Sequence, residues 1–244
     1  MAIELPKTKI PASTQDPQRL IIYSRYKVGK STALANLPDC LCVDLEGSGY
    51  DYIDAMKVKV SSVKELKELC KAIVDAGKPY KFIALDTISR LEDMVKPLAL
   101  KLYQDSPAGS KFTGNDVLDA AMGAGYKYLR DAMEMCIDMV AKCAPNIILV
   151  CHSKDSAVNS SDLTVKQISL SGKTGTILAS KSDAIGWMSR DENSNTVLSF
   201  NTNDQSVEVG ARPAHLRNKD VVLGEMQEDG NIIYHWDRIY PSIA

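Results

Sequence analysis

The sequence contains no C-x-x-C pair. Its six cysteines (Cys40, Cys42, Cys70, Cys136, Cys143 and Cys151) are scattered, several of them inside apolar runs. That usage suits reduced, buried thiols in a cytosolic protein. Histidine is scarce: His152, His215 and His235 lie far apart and are not paired with cysteine, which argues against a structural zinc site. No apolar stretch reaches the roughly 20 residues of a membrane span. The first residues, MAIELPKTKIPAS, lack a signal-peptide core. A cytoplasmic location and no membrane partner are expected. The net charge of −2 gives no broad basic field, so any contact with DNA must come from local basic loops. Repeats, long linkers and low-complexity tracts are also missing. The 244 residues therefore suit one domain with a substantial core.

What is present is organised around Leu20 to Leu37, LIIYSRYKVGKSTALANL. An apolar run, Leu20 to Tyr23, reads as a buried strand. Gly29-Lys30-Ser31-Thr32 follows a turn-like segment. Ala33, Leu34 and Leu37 then continue at helical spacing until Pro38. Strand, loop and helix in this order are the context of a phosphate-binding loop, whose free N–H groups wrap an anion. Lys30 would set a positive charge on the β- and γ-phosphates, and the Ser31 hydroxyl would ligate Mg²⁺. Ser24 stands where the pattern G-x-x-x-x-G-K-[ST] has its first glycine, and this departure bears on nucleotide affinity. Lys27 adds a second cation. A chance Gly-Lys-Ser in an ordinary turn is the competing reading, and the flanking strand and helix weigh against it.

Further along, Cys40–Leu45 (CLCVDL), Phe82–Asp86 (FIALD) and Ile147–Cys151 (IILVC) read as buried strands. Residues 63–76 form an amphipathic helix closed by Gly77 and Pro79. A helical segment reaches about Tyr103, and a longer one covers roughly 117–142. A breaker-rich loop, 105–116, lies between them. Alternating strands and helices predict an α/β fold with a mostly parallel central sheet. Short strands at 164–170, 183–189, 195–200 and 231–236 predict a small antiparallel extension on the C-terminal side. Residues 1–18 read as a polar lead-in with a short strand at Met1–Leu5, 19–220 as the core and 221–244 as the extension.

Open parallel sheets bind ligands at the C-terminal ends of their strands. Asp86, at the end of FIALD, would hold the Mg²⁺ water shell. Glu46, just past the strand expected beside the phosphate loop, would orient the attacking water. Asp44, two residues earlier on the same strand face, competes for that role, and both could be solvent-facing loop acids. His152 ends the fourth strand. It could sense the γ-phosphate and pass its state to the following loop, or be satisfied by local backbone.

As an ordered set, SRYKVGKST, VDLEGS, FIALDT and IILVCHS resemble the RecA-like core ATPases, in particular short bacteriophage proteins that reduce RecA to its core. The resemblance covers roughly residues 19–220. It implies a P-loop NTPase that binds ATP with Mg²⁺ through Ser24, Arg25, Tyr26, Lys27, Val28, Gly29, Lys30, Ser31 and Thr32. It implies Glu46 as the catalytic glutamate, Asp86 as the magnesium aspartate and His152 as the link to a DNA-binding loop. It also implies a homo-oligomer with nucleotide at the subunit interface, where Arg217 and Lys219 of RPAHLRNKD would arrive from a neighbour. For a phage protein the compartment is the host cytoplasm.

The family's two DNA-binding loops would fall at 105–116 and 153–175. The first carries Lys111 and Phe112, a cation and an aromatic suited to phosphate and base. The second carries Lys154, Lys166 and Lys173 against Asp155 and Asp162. Two flexible surface loops are the plain alternative. The resemblance implies a DNA-stimulated ATPase acting on single-stranded DNA in recombination, annealing or repair, alongside a single-strand-binding protein. The rival is a nucleotide-switched assembly factor or helicase loader with little turnover. A small-molecule kinase is disfavoured, because no Arg-rich lid is found.

Overall fold

The computed structural model describes residues 5, 7–12, 14–157 and 164–243. In chain order the elements are β1 (Arg19–Ser24), α1 (Lys30–Ala35), β2 (Cys40–Asp44), β3 (Lys57–Lys59), α2 (Val63–Asp75) and β4 (Phe82–Asp86). Helices α3 (Ile88–Met94), α4 (Lys96–Gln104) and α5 (Ala124–Ala141) follow, then β5 (Asn146–Ala157), β6 (Thr164–Ile168) and α6 (Thr174–Lys181). The chain closes with β7 (Ala184–Arg190), β8 (Thr196–Ser199), β9 (Gly210–Ala211), β10 (Asp220–Met226) and β11 (Ile232–Tyr234).

The strands join in one sheet of order β11-β10-β8-β7-β1-β5-β4-β2-β3, with β6 on β5 and β9 on β7. From β3 to β7 every neighbouring pair is parallel. Strands β8, β10 and β11 extend the sheet antiparallel. The expected mostly parallel sheet with an antiparallel C-terminal extension is present, but β7, expected in that extension, pairs parallel with β1 and belongs to the core. The boundary at 220 falls on the first residue of β10, so core and extension share the sheet.

Alternation along each strand sends side chains to opposite faces. Ile21, Tyr23, Val43, Leu85 and Leu149 meet α2 to α6 through Leu66, Ile73, Leu91, Ala99, Leu129, Ile137 and Leu178. Leu20, Ile22, Cys42, Ala84 and Val150 meet Leu34 of α1, with Trp236 and Tyr240 closing that face. Each fully buried aliphatic chain contributes roughly 1.5–3 kcal/mol. Trp236 also donates its indole N–H to the Ala33 carbonyl at 2.8 Å, tying the tail to α1. All six cysteines are buried and free.

Several local expectations change. The 117–142 helix begins only at Ala124, because Met122 and Gly123 adopt positive φ after two short 3-10 turns. The segment to Tyr103 is two helices broken at Val95, before Pro97. Strand β5 does not end at His152 but continues to Ala157 as an antiparallel hairpin with β6. Region 153–175 is therefore largely ordered structure; its residues 158–163 lie outside those described. The strand expected at Met1–Leu5 also falls outside, apart from Leu5, which is not in a strand.

Candidate nucleotide-binding site

Strand β1 delivers Ser24, fully buried, to the start of the phosphate loop. Ser24 does not take a left-handed conformation, so its Cβ is accommodated without strain. Two later loop residues are left-handed: Lys27 at φ 63° and Gly29 at φ 104°. A Cβ on Gly29 would also meet Arg190 Nη2 at 3.1 Å. Arg190, the last residue of β7, braces the loop by donating from Nε to the Val28 carbonyl at 3.3 Å. Lys30 is buried. Its ammonium donates to Ser24 Oγ at 2.8 Å and to the Arg25 carbonyl at 3.2 Å. Burial lowers its pKa below the usual lysine value, against the opposing pull of Asp86.

Asp86, at the end of β4, is buried beside Ser31. Its Oδ2 accepts from Ser31 Oγ at 2.7 Å and from the Tyr50 hydroxyl at 2.9 Å. Burial raises the Asp86 pKa, while the two hydroxyls pull it back. Burial, then the Asp86 charge, push the Tyr50 phenol far up, so it stays a donor. An alcohol and a carboxylate are hard oxygen donors, and this pair fits Mg²⁺. Among the described residues no group of three or more His, Cys, Asp and Glu could hold a metal. A cation here would thus take the rest of its shell from waters and nucleotide phosphate oxygens, as Mg²⁺ at nucleotide sites does.

Glu46 reaches the site from farther away than its sequence position suggests. Strand β2 is not beside β1; β5 and β4 lie between them. Past β2 the chain turns back over the strand ends. There Glu46 Oε1 accepts from Thr87 Oγ1 at 3.1 Å and lies 3.0 Å from His152 Nε2. Asp44 is a different kind of acid. Its Oδ1 accepts the N–H groups of Glu46 and Gly47 at 3.0 and 2.8 Å, so it caps the turn that presents Glu46. His152 is paired with Ser24 across β1 and β5, and its ring stacks on Tyr26 with centroids 4.1 Å apart. The backbone N–H of Ser169 donates to the His152 carbonyl at 2.8 Å, linking it to the return arm after β6.

Lys30, Ser31, Asp86, Thr87, Glu46, His152 and Tyr26 line one cavity of about 370 Å³, together with Thr32, Tyr52 and Ile53. The model of the AAA domain family (AAA_24) matches residues 16–220, which include every residue lining this cavity. The chain belongs to this family. Membership supports an ATP-binding ATPase, for which the AAA domain's phosphate loop and acids are suited. No curated protein matches the chain. Similar solved structures include the RadB recombinase, with 10% identity over 88% of this chain and 90% of that one at a TM-score of 0.46. Another is the KaiC-like protein PH0186 from the hyperthermophilic archaeon Pyrococcus horikoshii OT3, with 10% identity over 91% and 90% at 0.49.

The remaining expected site residues lie elsewhere on the AAA domain. Arg217 donates to the Arg212 carbonyl, and Arg212 pairs with Asp183 just before β7. Arg217 and Lys219 are exposed and sit toward the opposite strand ends from their own phosphate loop. Lys111 is exposed, but Phe112 packs on Tyr103 with centroids 5.2 Å apart and joins the core. Lys154 donates to the Leu170 carbonyl, Lys166 lies over the Trp187 ring at 5.9 Å, and Lys173 precedes α6. Sequence reading missed Tyr50, Thr87 and Arg190. Thr87 follows Asp86 directly and could have been found; Tyr50 and Arg190 belong to no motif.

Proposed function

We propose that this chain is a Mg²⁺-dependent ATPase of RecA-like type that acts on single-stranded DNA, in the recombination, annealing or repair work of a bacteriophage. The observation that carries the reading is the meeting of Glu46 and His152 with Lys30, Ser31 and Asp86 in one cavity. Lys30 would leave Ser24 to neutralise the β- and γ-phosphates. Ser31 and Asp86 would hold Mg²⁺, which supplies charge neutralisation across those phosphates. Glu46 is half-exposed and can orient a water and accept its proton.

His152 then couples the site to DNA. It lies on the strand that continues into the β5–β6 hairpin, so a change in its hydrogen bond to Glu46 is felt along that strand. Lys154, Lys166 and Lys173 on this side, and Lys111 on the 105–116 loop, are the proposed DNA contacts. Arg217 and Lys219 would act in trans on the nucleotide of a neighbouring copy. The test is retention of labelled single-stranded DNA with a slowly hydrolysed ATP analogue and with ADP. Retention only with the ATP analogue, lost in a Lys154→Ala/Lys173→Ala variant, supports the reading; no retention in either state overturns it.

One observation favours a second reading, a nucleotide-switched assembly factor or helicase loader. Phe112 is packed inward and is not presented to a base. ATP-dependent capture of a protein partner without DNA retention would select that reading.

A further inference from the structure

We infer that Tyr50 is a positioning residue for Asp86, fixing which carboxylate oxygen faces the metal and anchoring the loop that carries Glu46. The inference rests on the reading of Ser31 and Asp86 as the Mg²⁺ side of a nucleotide site.

Tyr50 is fully buried, although it follows the polar stretch Glu46-Gly47-Ser48-Gly49. Its hydroxyl donates to Asp86 Oδ2 at 2.9 Å. Ser31 Oγ donates to the same oxygen at 2.7 Å. With both hydroxyls on Oδ2, Oδ1 is left as the oxygen to receive a metal-bound water. A buried phenol needs an acceptor. The Cys42 thiol is its other polar neighbour. A carboxylate is much the stronger acceptor of the two.

The same contact fixes the Glu46 loop. The loop starts on Asp44, whose Oδ1 accepts the N–H groups of Glu46 and Gly47. It ends on Asp86 through Tyr50. Between them Gly49 passes close over the site: a Cβ there would lie 3.6 Å from Asp44 Oδ1 and 4.0 Å from Ser31 Oγ. The side chain of Lys57 donates to the Tyr50 carbonyl and closes the turn from outside. One phenol thus joins the acid that would hold the cation to the segment that presents the acid acting on water.

The experiment is a Mg²⁺ titration of a fluorescent ATP analogue bound to the unaltered protein and to Tyr50→Phe, repeated in EDTA. Phenylalanine keeps the buried ring and removes only the hydroxyl. The expected result is an upward shift of the Mg²⁺ midpoint of roughly tenfold, the worth of a hydrogen bond to a charged group. Affinity in EDTA should stay unchanged. In an Asp86→Asn background, Tyr50→Phe should add no further shift, because the effect runs through that carboxylate. An unmoved midpoint, an equal loss with and without Mg²⁺, or an additive shift in the double variant would overturn the inference. If the unaltered protein binds no analogue in either condition, the nucleotide reading itself fails and this inference falls with it.

Discussion

Ser24 Oγ accepts from the Lys30 ammonium at 2.8 Å, so the residue standing at the loop's first glycine position holds the lysine proposed to meet phosphate. Phosphate must compete with that hydrogen bond. Replacing Ser24 with glycine removes the acceptor of a charged donor, a bond worth about 1.5–3 kcal/mol. Ser24→Gly should therefore bind ATP roughly tenfold more tightly, or better, by calorimetry. It should also melt a few degrees lower, since glycine in a strand costs roughly 0.5–1 kcal/mol.

The buried Lys30 charge carries a desolvation cost to stability. Lys30→Met should abolish ATP binding and raise the melting temperature of the nucleotide-free protein at neutral pH. The sign follows from the lowered pKa of the native lysine. Between that value and the ordinary one, the unfolded chain binds more protons, so unaltered protein gains stability as pH rises. The gap to Lys30→Met should narrow toward alkaline pH. A gap that widens would contradict the assignment.

Glu92 on α3 ties the active-site wall to the arm that follows the hairpin. Its carboxylate accepts the Ser171 backbone N–H at 2.9 Å and the Ser171 hydroxyl at 2.9 Å. Removing it strands a half-buried donor, at about 1 kcal/mol or more. Glu92→Ala should lower the melting temperature by about 2–4 °C per kcal/mol lost. It should reduce stimulation by single-stranded DNA more than basal ATP hydrolysis.

Lys111 and Phe112 are neighbours with separable expected effects. Phe112→Ala should cost stability, because its ring packs on Tyr103, and leave DNA affinity per folded molecule unchanged. Lys111→Ala should leave stability within about 0.5 kcal/mol, as exposed substitutions do. It should weaken DNA binding and flatten its salt dependence. Paired melting and DNA-binding curves for the two variants check this.

The parallel core was legible because β1, β2, β4 and the first half of β5 are continuous apolar runs, each ending in a chemically distinctive residue. The rest obeys weaker signals. Beyond His152, β5 is held by a half-exposed hairpin ladder, and HSKDSA carries no burial pattern. Helix α6, TGTILASK, is short and weakly amphipathic. Strand β10 sits in a sequence read as basic loop and tail. At the site, the phosphate-loop residues and Asp86 meet as their motifs imply. Glu46 meets His152 only because the chain turns back over β4, which strand order alone determines. Phe112 reads as a stacking residue in sequence and packs inward because Tyr103 offers it a partner.

The most direct measurement is steady-state phosphate release from ATP and Mg²⁺, with and without single-stranded DNA, by unaltered protein, Lys30→Ala and Glu46→Gln. The account predicts DNA-stimulated hydrolysis that Lys30→Ala abolishes by loss of binding. Glu46→Gln should slow it by about 100-fold or more while ATP still binds. Hydrolysis that survives Glu46→Gln, or its absence from the unaltered protein with and without DNA, would contradict it.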